Sequence, residues 1–302
     1  MKKAIGIDIG GTNYRIGCMS EDGELLFVEK VSADVLRQGG PATELLEKSI
    51  RNAMRENSID SIDAICIGFP SPVSAEGVVY HCPNVVNPAG GFDGVNISEL
   101  YGKSFGVPVY VQKDANILLQ CEITERNISK DAIVIGIYYG TGIGNSVYYR
   151  GEILRGSHGF MCDLGHIPVF KSDRVCNCGN VGCVECYGSG AYLVKLWREK
   201  FSDVPIDDLF EVYGDRPELM DFAEACALPA ATEINIFDPD LTILGGGILN
   251  MKNFPYDFLL KKVYDFTRKP IPAQDLKFER AYDAKDTGVK GAAYYAFEKL
   301  RG

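Results

Sequence analysis

The chain has no apolar run of about eighteen residues, the length a helix needs to cross a bilayer, so a membrane-spanning helix is excluded. Basic side chains are also few. The 31 Lys and Arg stand against 41 Asp and Glu, for a formal net charge of −10. Nucleic-acid backbones are bound by clustered Lys and Arg, so nucleic acid is excluded as the main partner. A single nucleotide is not excluded, because a few glycine amides and one Mg²⁺ can hold it. The ten cysteines show no framework spacing and nothing indicates secretion, which argues against disulfides. Met1–Asp8 opens like a signal peptide, but the apolar run breaks at Asp8 and Gly10-Gly11, so it reads as a strand. Three nucleotide-binding signatures are missing: the G-x-x-x-x-G-K-[ST] loop, the G-x-G-x-x-G register, and the catalytic-loop and metal-binding triplets of protein kinases. No low-complexity segment or charged tail occurs. The expectation is an ordinary cytoplasmic protein.

What is present is concentrated. Cys176, Cys178, Cys183 and Cys186 fall in one short stretch with Gly179 and Gly182, and His166 lies just upstream. Zn²⁺ takes four soft or borderline ligands in a tetrahedron, and this segment offers five. Spacing leaves the fourth ligand open between His166 and Cys186. Asp163 and Glu185 lie inside the same segment, so a metal that pinned it would also pin two carboxylates and an imidazole.

At this length a single core tends to split, so two domains are expected. Strands are expected at Ala4–Ile9, Tyr14–Met19, Leu25–Val31, Ala64–Gly68 and Val107–Val111, and again at Ala132–Tyr138, Asn145–Tyr149 and Leu241–Leu244. Helical periodicity runs through Leu45, Leu46, Ile50 and Met54, and helices are expected at Ala115–Glu125, Gly190–Phe201, Glu218–Phe237, Tyr256–Phe266 and Gly291–Leu300. Phe69–Gly94 is dense in Pro and Gly and reads as a long irregular segment. The pattern strand, glycine hairpin, strand occurs twice, at Gly6–Gly17 and Gly136–Tyr149, which suggests two lobes of related architecture facing each other.

Asp8 stands near the end of the first strand, before Gly10-Gly11-Thr12-Asn13, with Arg15 on the next strand. Glycines let backbone N–H groups approach phosphate oxygens, and Asp8 is poised for Mg²⁺ directly or through a water. A second loop, Gly140-Thr141-Gly142-Ile143-Gly144, and a third, Gly245-Gly246-Gly247, also sit at strand ends. One such loop is more often a tight turn than a ligand site; three could surround one nucleoside triphosphate. Asp114 opens a helix, where the dipole favours a carboxylate, and by itself it would read as a cap. A phosphate hairpin with a preceding Asp, repeated in a second lobe, looks like the actin-like ATPase architecture, an α/β, ribonuclease H-like fold, here with a zinc-binding loop.

Together these residues resemble the ROK family of sugar kinases and repressors over nearly the whole chain. The likeness rests on the Asp8 loop, Asp114-Ala115-Asn116, Gly140-Thr141-Gly142, Gly165-His166, the cysteine cluster and Leu244-Gly245-Gly246-Gly247. Within the family, Gly68-Phe69-Pro70 with Val73-Ser74, the basic residue before Asp114, and Gly165-His166-Ile167-Pro168 are most similar to D-allose kinases. The resemblance implies that Asp114 is the catalytic base, and that His166, Cys176, Cys178 and Cys183 hold a structural Zn²⁺, leaving Cys186 spare. It further implies that Asn84, Lys113, Asp163, His166 and Glu185 line the sugar pocket with Asp114, and that Gly245–Gly247 meet the adenosine. Asp163 replaces a usual Glu, Lys113 replaces a usual Asn, and Pro70-Ser71-Pro72 lacks a common glycine.

The expected organisation is a first lobe at 1–113, on which a C-terminal helix at 289–302 packs, and a second lobe at 114–288. The expected activity is transfer of the γ-phosphoryl group of Mg²⁺–ATP to the 6-hydroxyl of an aldohexose, D-allose foremost, by a homodimer with no nucleic-acid or membrane partner. A glucokinase, an N-acetylmannosamine kinase or a non-catalytic sugar sensor are the alternatives. A repressor would carry a helix-turn-helix ahead of the first loop, and only seven residues precede Asp8.

Overall fold

The computed structural model describes residues 1–80, 82, 87–159 and 161–301. The chain forms two compact units, one of residues 1–128, 155–161 and 284–302, the other of residues 129–154 and 162–283.

In the first unit β1 (Lys3–Ile9) and β2 (Asn13–Ser20) make a hairpin, followed by β3 (Leu25–Ser32), α1 (Ala42–Glu56), β4 (Ala64–Phe69), α2 (Ile97–Phe105), β5 (Val109–Lys113) and α3 (Asp114–Glu125). The sheet runs β3-β2-β1-β4-β5, antiparallel across the first three strands and parallel from β1 to β5. Strand alternation sorts the side chains. Ile5, Ile7 and Ile9 pack with Leu46 and Ile50 of α1, whereas Ala4 joins a layer with Ile117 of α3 and the alanines at 292, 293 and 296.

The second unit holds β6 (Val134–Tyr139), β7 (Ile143–Tyr149), β8 (Glu152–Ile153), α4 (Glu185–Gly188), α5 (Gly190–Lys200), α6 (Leu209–Tyr213), α7 (Pro217–Phe237), β9 (Leu241–Gly245), α8 (Tyr256–Phe266) and β10 (Phe278–Arg280). Its sheet order is β8-β7-β6-β9-β10, with antiparallel pairing from β8 to β6 and parallel pairing from β6 to β10. The strand–hairpin–strand pattern read twice in the sequence is therefore one sheet topology built twice. A core from Ile135, Ile137 and Val147 meets Phe222, Ala223, Ala227 and Ala230 on α7 and Leu259 and Val263 on α8.

The last helix, α9 (Thr287–Arg301), belongs to the first unit and packs on β1, β4 and α3. Its approach is close because Gly6 pairs with Gly17 in the sheet beneath it; a β-carbon on Gly6 would fall 2.1 Å from the Val289 carbonyl oxygen. α3 also lies in the first unit, so the division falls after Ile128 and not at the expected 113/114 boundary. The reason is tertiary. α3 is tied to α9, with Gln120 Nε2 donating to Glu298 Oε2 at 3.1 Å. Among the described residues, no helix is long and apolar enough to cross a membrane.

Candidate active site and metal cluster

In the first unit, neighbouring parallel strands bring two carboxylates together. Asp8 pairs with Gly68 of β4, Gly68 pairs with Gln112 of β5, and Asp114 follows two residues later as the first residue of α3. This is the carboxyl end of the parallel strands, where open α/β sheets bind ligands. A β-carbon on Gly68 would fall 2.2 Å from Ile117 Cδ1 of α3, so the glycine lets the start of α3 lie close against β4. Asp8 keeps some contact with solvent, yet the surrounding protein desolvates it. Burial first, and the Asp114 charge second, raise its pKa to about 6, while Arg15, its partner across the hairpin, pulls the other way. Asp114 Oδ1 accepts the Ala115 N–H at 2.7 Å, so the carboxylate sits in the first turn of α3 and the capping position falls to Lys113.

The hairpin that follows Asp8 is open to solvent at Gly11 and Thr12. Its outward carbonyls are taken: Arg37 donates to Gly11 O at 2.5 Å and the Ala33 N–H to Thr12 O at 2.9 Å. Gly10 N–H closes the turn on Asn13 O at 3.0 Å. Arg15 sits beside it on β2. Lys113 Nζ donates to the Met161 carbonyl at 3.2 Å, so one of its protons is committed within this unit. Asn84 lies outside the described residues.

In the second unit the loop Gly140–Gly144 joins β6 to β7 and repeats the closure, with Gly140 N–H on Gly142 O at 3.0 Å. The first amides of α5 bind it from behind: Gly190 N–H meets Gly140 O and Ala191 N–H meets Thr141 O, both at 2.9 Å. Gly245-Gly246-Gly247 ends β9 and wraps the end of β6. Gly246 adopts φ +100°, and a β-carbon there would lie 2.3 Å from Tyr139 O.

Glu185, the first residue of α4, connects two of the sequence motifs. Its Oε2 accepts the Ile143 N–H at 3.1 Å. A β-carbon on Gly142 would lie 2.5 Å from that oxygen and one on Gly165 3.0 Å from it. The carboxylate thus lies between the glycine loop and the Gly165-His166 turn, in space that side chains at 142 and 165 would narrow. Asp163 precedes that 3₁₀ turn, Leu164–His166, and its carbonyl accepts the His166 N–H at 3.0 Å.

His166, Cys176, Cys178 and Cys183 each place one ligand atom within 4.8 Å of the others. Cys176 Sγ is 3.7 Å from His166 Nδ1, and Cys178 Sγ is 3.6 Å from Cys183 Sγ. Tetrahedral Zn²⁺ with bonds of about 2.3 Å to sulfur separates two thiolates by about 3.8 Å, so donor set and spacing fit that ion. Short bridges build the cluster: Val175 pairs with Val181, Pro168 pairs with Cys183, and Cys176 N–H donates to Asn180 O at 2.8 Å. Arg174 braces it, stacked 4.0 Å from the Tyr187 ring and 4.3 Å from the Tyr192 ring while donating to Cys186 O at 2.7 Å. The backbone at Asn180 holds the Cys178 thiol below its usual pKa, whereas burial pushes Cys183 up to about 12, so a cation binding here displaces protons. Cys186 lies against Cys176 but is not one of the four whose ligand atoms group together.

Two residues that the sequence reading passed over belong here. Gly288 of α9 abuts Asp8, and Asn145, directly after Gly144, reaches the turn that carries His166. The first had a signal, a glycine in the opening turn of a helix. The second, an amide on an otherwise apolar strand, had only a weak one.

Comparison with known proteins agrees with this architecture. The chain is 27% identical to a glucokinase of Thermotoga maritima over 99% of both chains. It is 26% identical to a xylose repressor of Caldicellulosiruptor bescii, over 86% of this chain and 68% of that protein. The crystal structure of a ROK hexokinase from Thermus thermophilus superposes with a TM-score of 0.80 at 26% identity, over 99% of each chain. The model of the ROK family matches residues 4–299, and the chain belongs to that family.

Proposed function

We propose that this protein is an ATP-dependent sugar kinase that phosphorylates the 6-hydroxyl of an aldohexose. The observation that carries the reading is the placing of Asp8 and Asp114 on either side of β4, at the carboxyl end of the parallel strands β1-β4-β5 and beside a glycine hairpin, close enough for the Asp114 charge to act on Asp8. A sugar hydroxyl is a weak nucleophile near neutral pH. Asp114 takes its proton while the oxygen attacks the γ-phosphorus; the bond from that phosphorus to the β,γ-bridging oxygen breaks and ADP leaves. Donors of Gly10–Asn13, Arg15 and Gly140–Gly144 hold phosphate oxygens, and Gly245–Gly247 meet the adenosine. Asp8 is the carboxylate that would hold Mg²⁺, whose charge offsets that of the phosphates. Its pKa, raised in part by a neighbouring carboxylate, fits a place built for a cation.

Asp163, His166 and Glu185 hold the sugar hydroxyls, with Lys113 and Asn84. His166, Cys176, Cys178 and Cys183 would hold a structural Zn²⁺, with His166 Nδ1 toward the thiols and Nε2 left for the sugar. D-Allose over D-glucose is the sharper form of the proposal, resting on Lys113 as an altered donor near C3. D-Glucose is the second reading, favoured because Lys113 already donates to Met161 and because the Thermotoga maritima relative is named a glucokinase. Sugar-dependent ATP consumption across allose, glucose, mannose and N-acetylmannosamine tests both. Consumption with none of them, alongside measurable sugar binding, would favour a non-catalytic sensor of the kind that the repressor relative suggests.

A further inference from the structure

The second unit contains a buried polar chain that the reaction as described does not use. Asn145 and Glu233 are 0% and 1% exposed. Asn145 Nδ2 donates to Glu233 Oε1 at 2.6 Å, and Asn145 Oδ1 accepts the Leu164 N–H at 3.1 Å. Glu233 lies deep in α7, between Thr232 and Ile234, on a helix otherwise lined with Ala, Leu and Phe. Asn145 opens the buried run of β7, one residue past the glycine loop. Leu164 begins the 3₁₀ turn that ends at His166.

We propose that Asn145 and Glu233 are positioning residues: they orient the Leu164–His166 turn, and so set the His166 imidazole for the metal and the sugar. The physical reason lies in the donors. The Leu164 N–H is buried and needs an acceptor, and Asn145 supplies it from a strand held in the sheet by its pairing with β6. An amide can flip. Only an acceptor beyond its Nδ2 keeps Oδ1 pointed at Leu164, and Glu233 is that acceptor. A carboxylate buried in an apolar helix is costly, and a role confined to packing would be met by Leu or Met. The chain α7–β7–turn also joins the glycine loop to the Gly-His motif through one side chain. This inference rests on the proposed metal and sugar roles of His166, and its test separates the two.

The test uses the purified full chain with Co²⁺ as the probe, its affinity read by competition with a chelator. Asn145→Ala and Glu233→Met are expected to weaken Co²⁺ binding by about tenfold, the usual size of an outer-shell effect. They should raise the KM for sugar and leave the KM for ATP unchanged. Glu233→Gln retains an oxygen acceptor for Asn145 and should retain wild-type Co²⁺ affinity. Wild-type Co²⁺ affinity in folded Asn145→Ala and Glu233→Met would overturn the proposal, even if both lower Tm. Hydrogen exchange of the Leu164 amide in the wild-type chain needs no variant. It should be as slow as the amides of β7, and exchange as fast as an exposed loop amide would overturn the proposal. The Co²⁺ and exchange arms need no turnover. A chain that binds no Co²⁺ or phosphorylates no sugar defeats the proposed function, while the Leu164 amide still decides the positioning.

Discussion

Gly288 lies directly against Asp8: a β-carbon built on it would be 2.4 Å from Asp8 Oδ2 and 2.7 Å from Asp8 Cβ. The opening turn of α9 therefore serves as the back wall of the first carboxylate, and the wall fits only without a side chain.

Gly288→Ala is expected to push Asp8 off its position. Overpacking of this kind costs about 1–3 kcal/mol. The diagnostic effect is kinetic: the KM for Mg²⁺–ATP should rise about tenfold or more, as happens when a positioning contact shifts by an ångström. The KM for sugar should stay near wild type. Steady-state kinetics with each substrate varied in turn checks this.

Asp8 also makes stability depend on pH. Its carboxyl titrates at about 6 in the folded chain, against 3.8 for an ordinary aspartate. Between those values the folded state binds more protons than the unfolded state, so stability falls as pH rises, and it stays at the lower level above about 6. Asp8→Asn removes that loss. The variant should melt about 2–4 °C above wild type at neutral pH, the shift expected for roughly 1 kcal/mol in a chain of this size. The gap should close below about pH 4, where Asp8 becomes protonated in the unfolded chain as it already is in the folded one. The same variant should lose ATP turnover. Melting curves across that range test the sign.

Much of this architecture could be read from local pattern. The alternation through Ile5, Ile7 and Ile9 and the spacing of Leu46 and Ile50 mark the strand and helix that form one core layer. The cysteine cluster was legible from ligand chemistry, but that His166 groups with Cys176, Cys178 and Cys183 while Cys186 stands outside could be read only from distances. α2 was missed, though Asn96 caps it through the Glu99 N–H at 3.0 Å and Gly106 ends it at φ 69°. Those cap signals lie just beyond a Pro- and Gly-rich stretch that hid them. The unit boundary was displaced because α3 docks on a helix far along the chain, as in the Gln120–Glu298 contact, and no local pattern records that. The Asn145–Glu233 link, 88 residues apart in sequence, was invisible for the same reason.

Cysteine variants separate a ligand from a neighbour. Cys178→Ser should lose the Zn²⁺ of the purified chain, about one ion per chain in the wild type, and weaken sugar binding more than ATP binding. Cys186→Ser should keep the metal, since Cys186 stands outside the group of four. Metal analysis of both proteins is the check. Zinc lost from Cys186→Ser alone would point to a knuckle without histidine.

The central claim is that Asp114 is the base of a sugar kinase, and one variant tests it most directly. Asp114→Asn keeps the size of the side chain and an oxygen for the Ala115 N–H, so fold and ATP binding should persist. Sugar-dependent ATP consumption should fall by about a hundredfold or more, the usual contribution of a general base. A kcat near wild type in Asp114→Asn, with ATP still bound, would contradict the account.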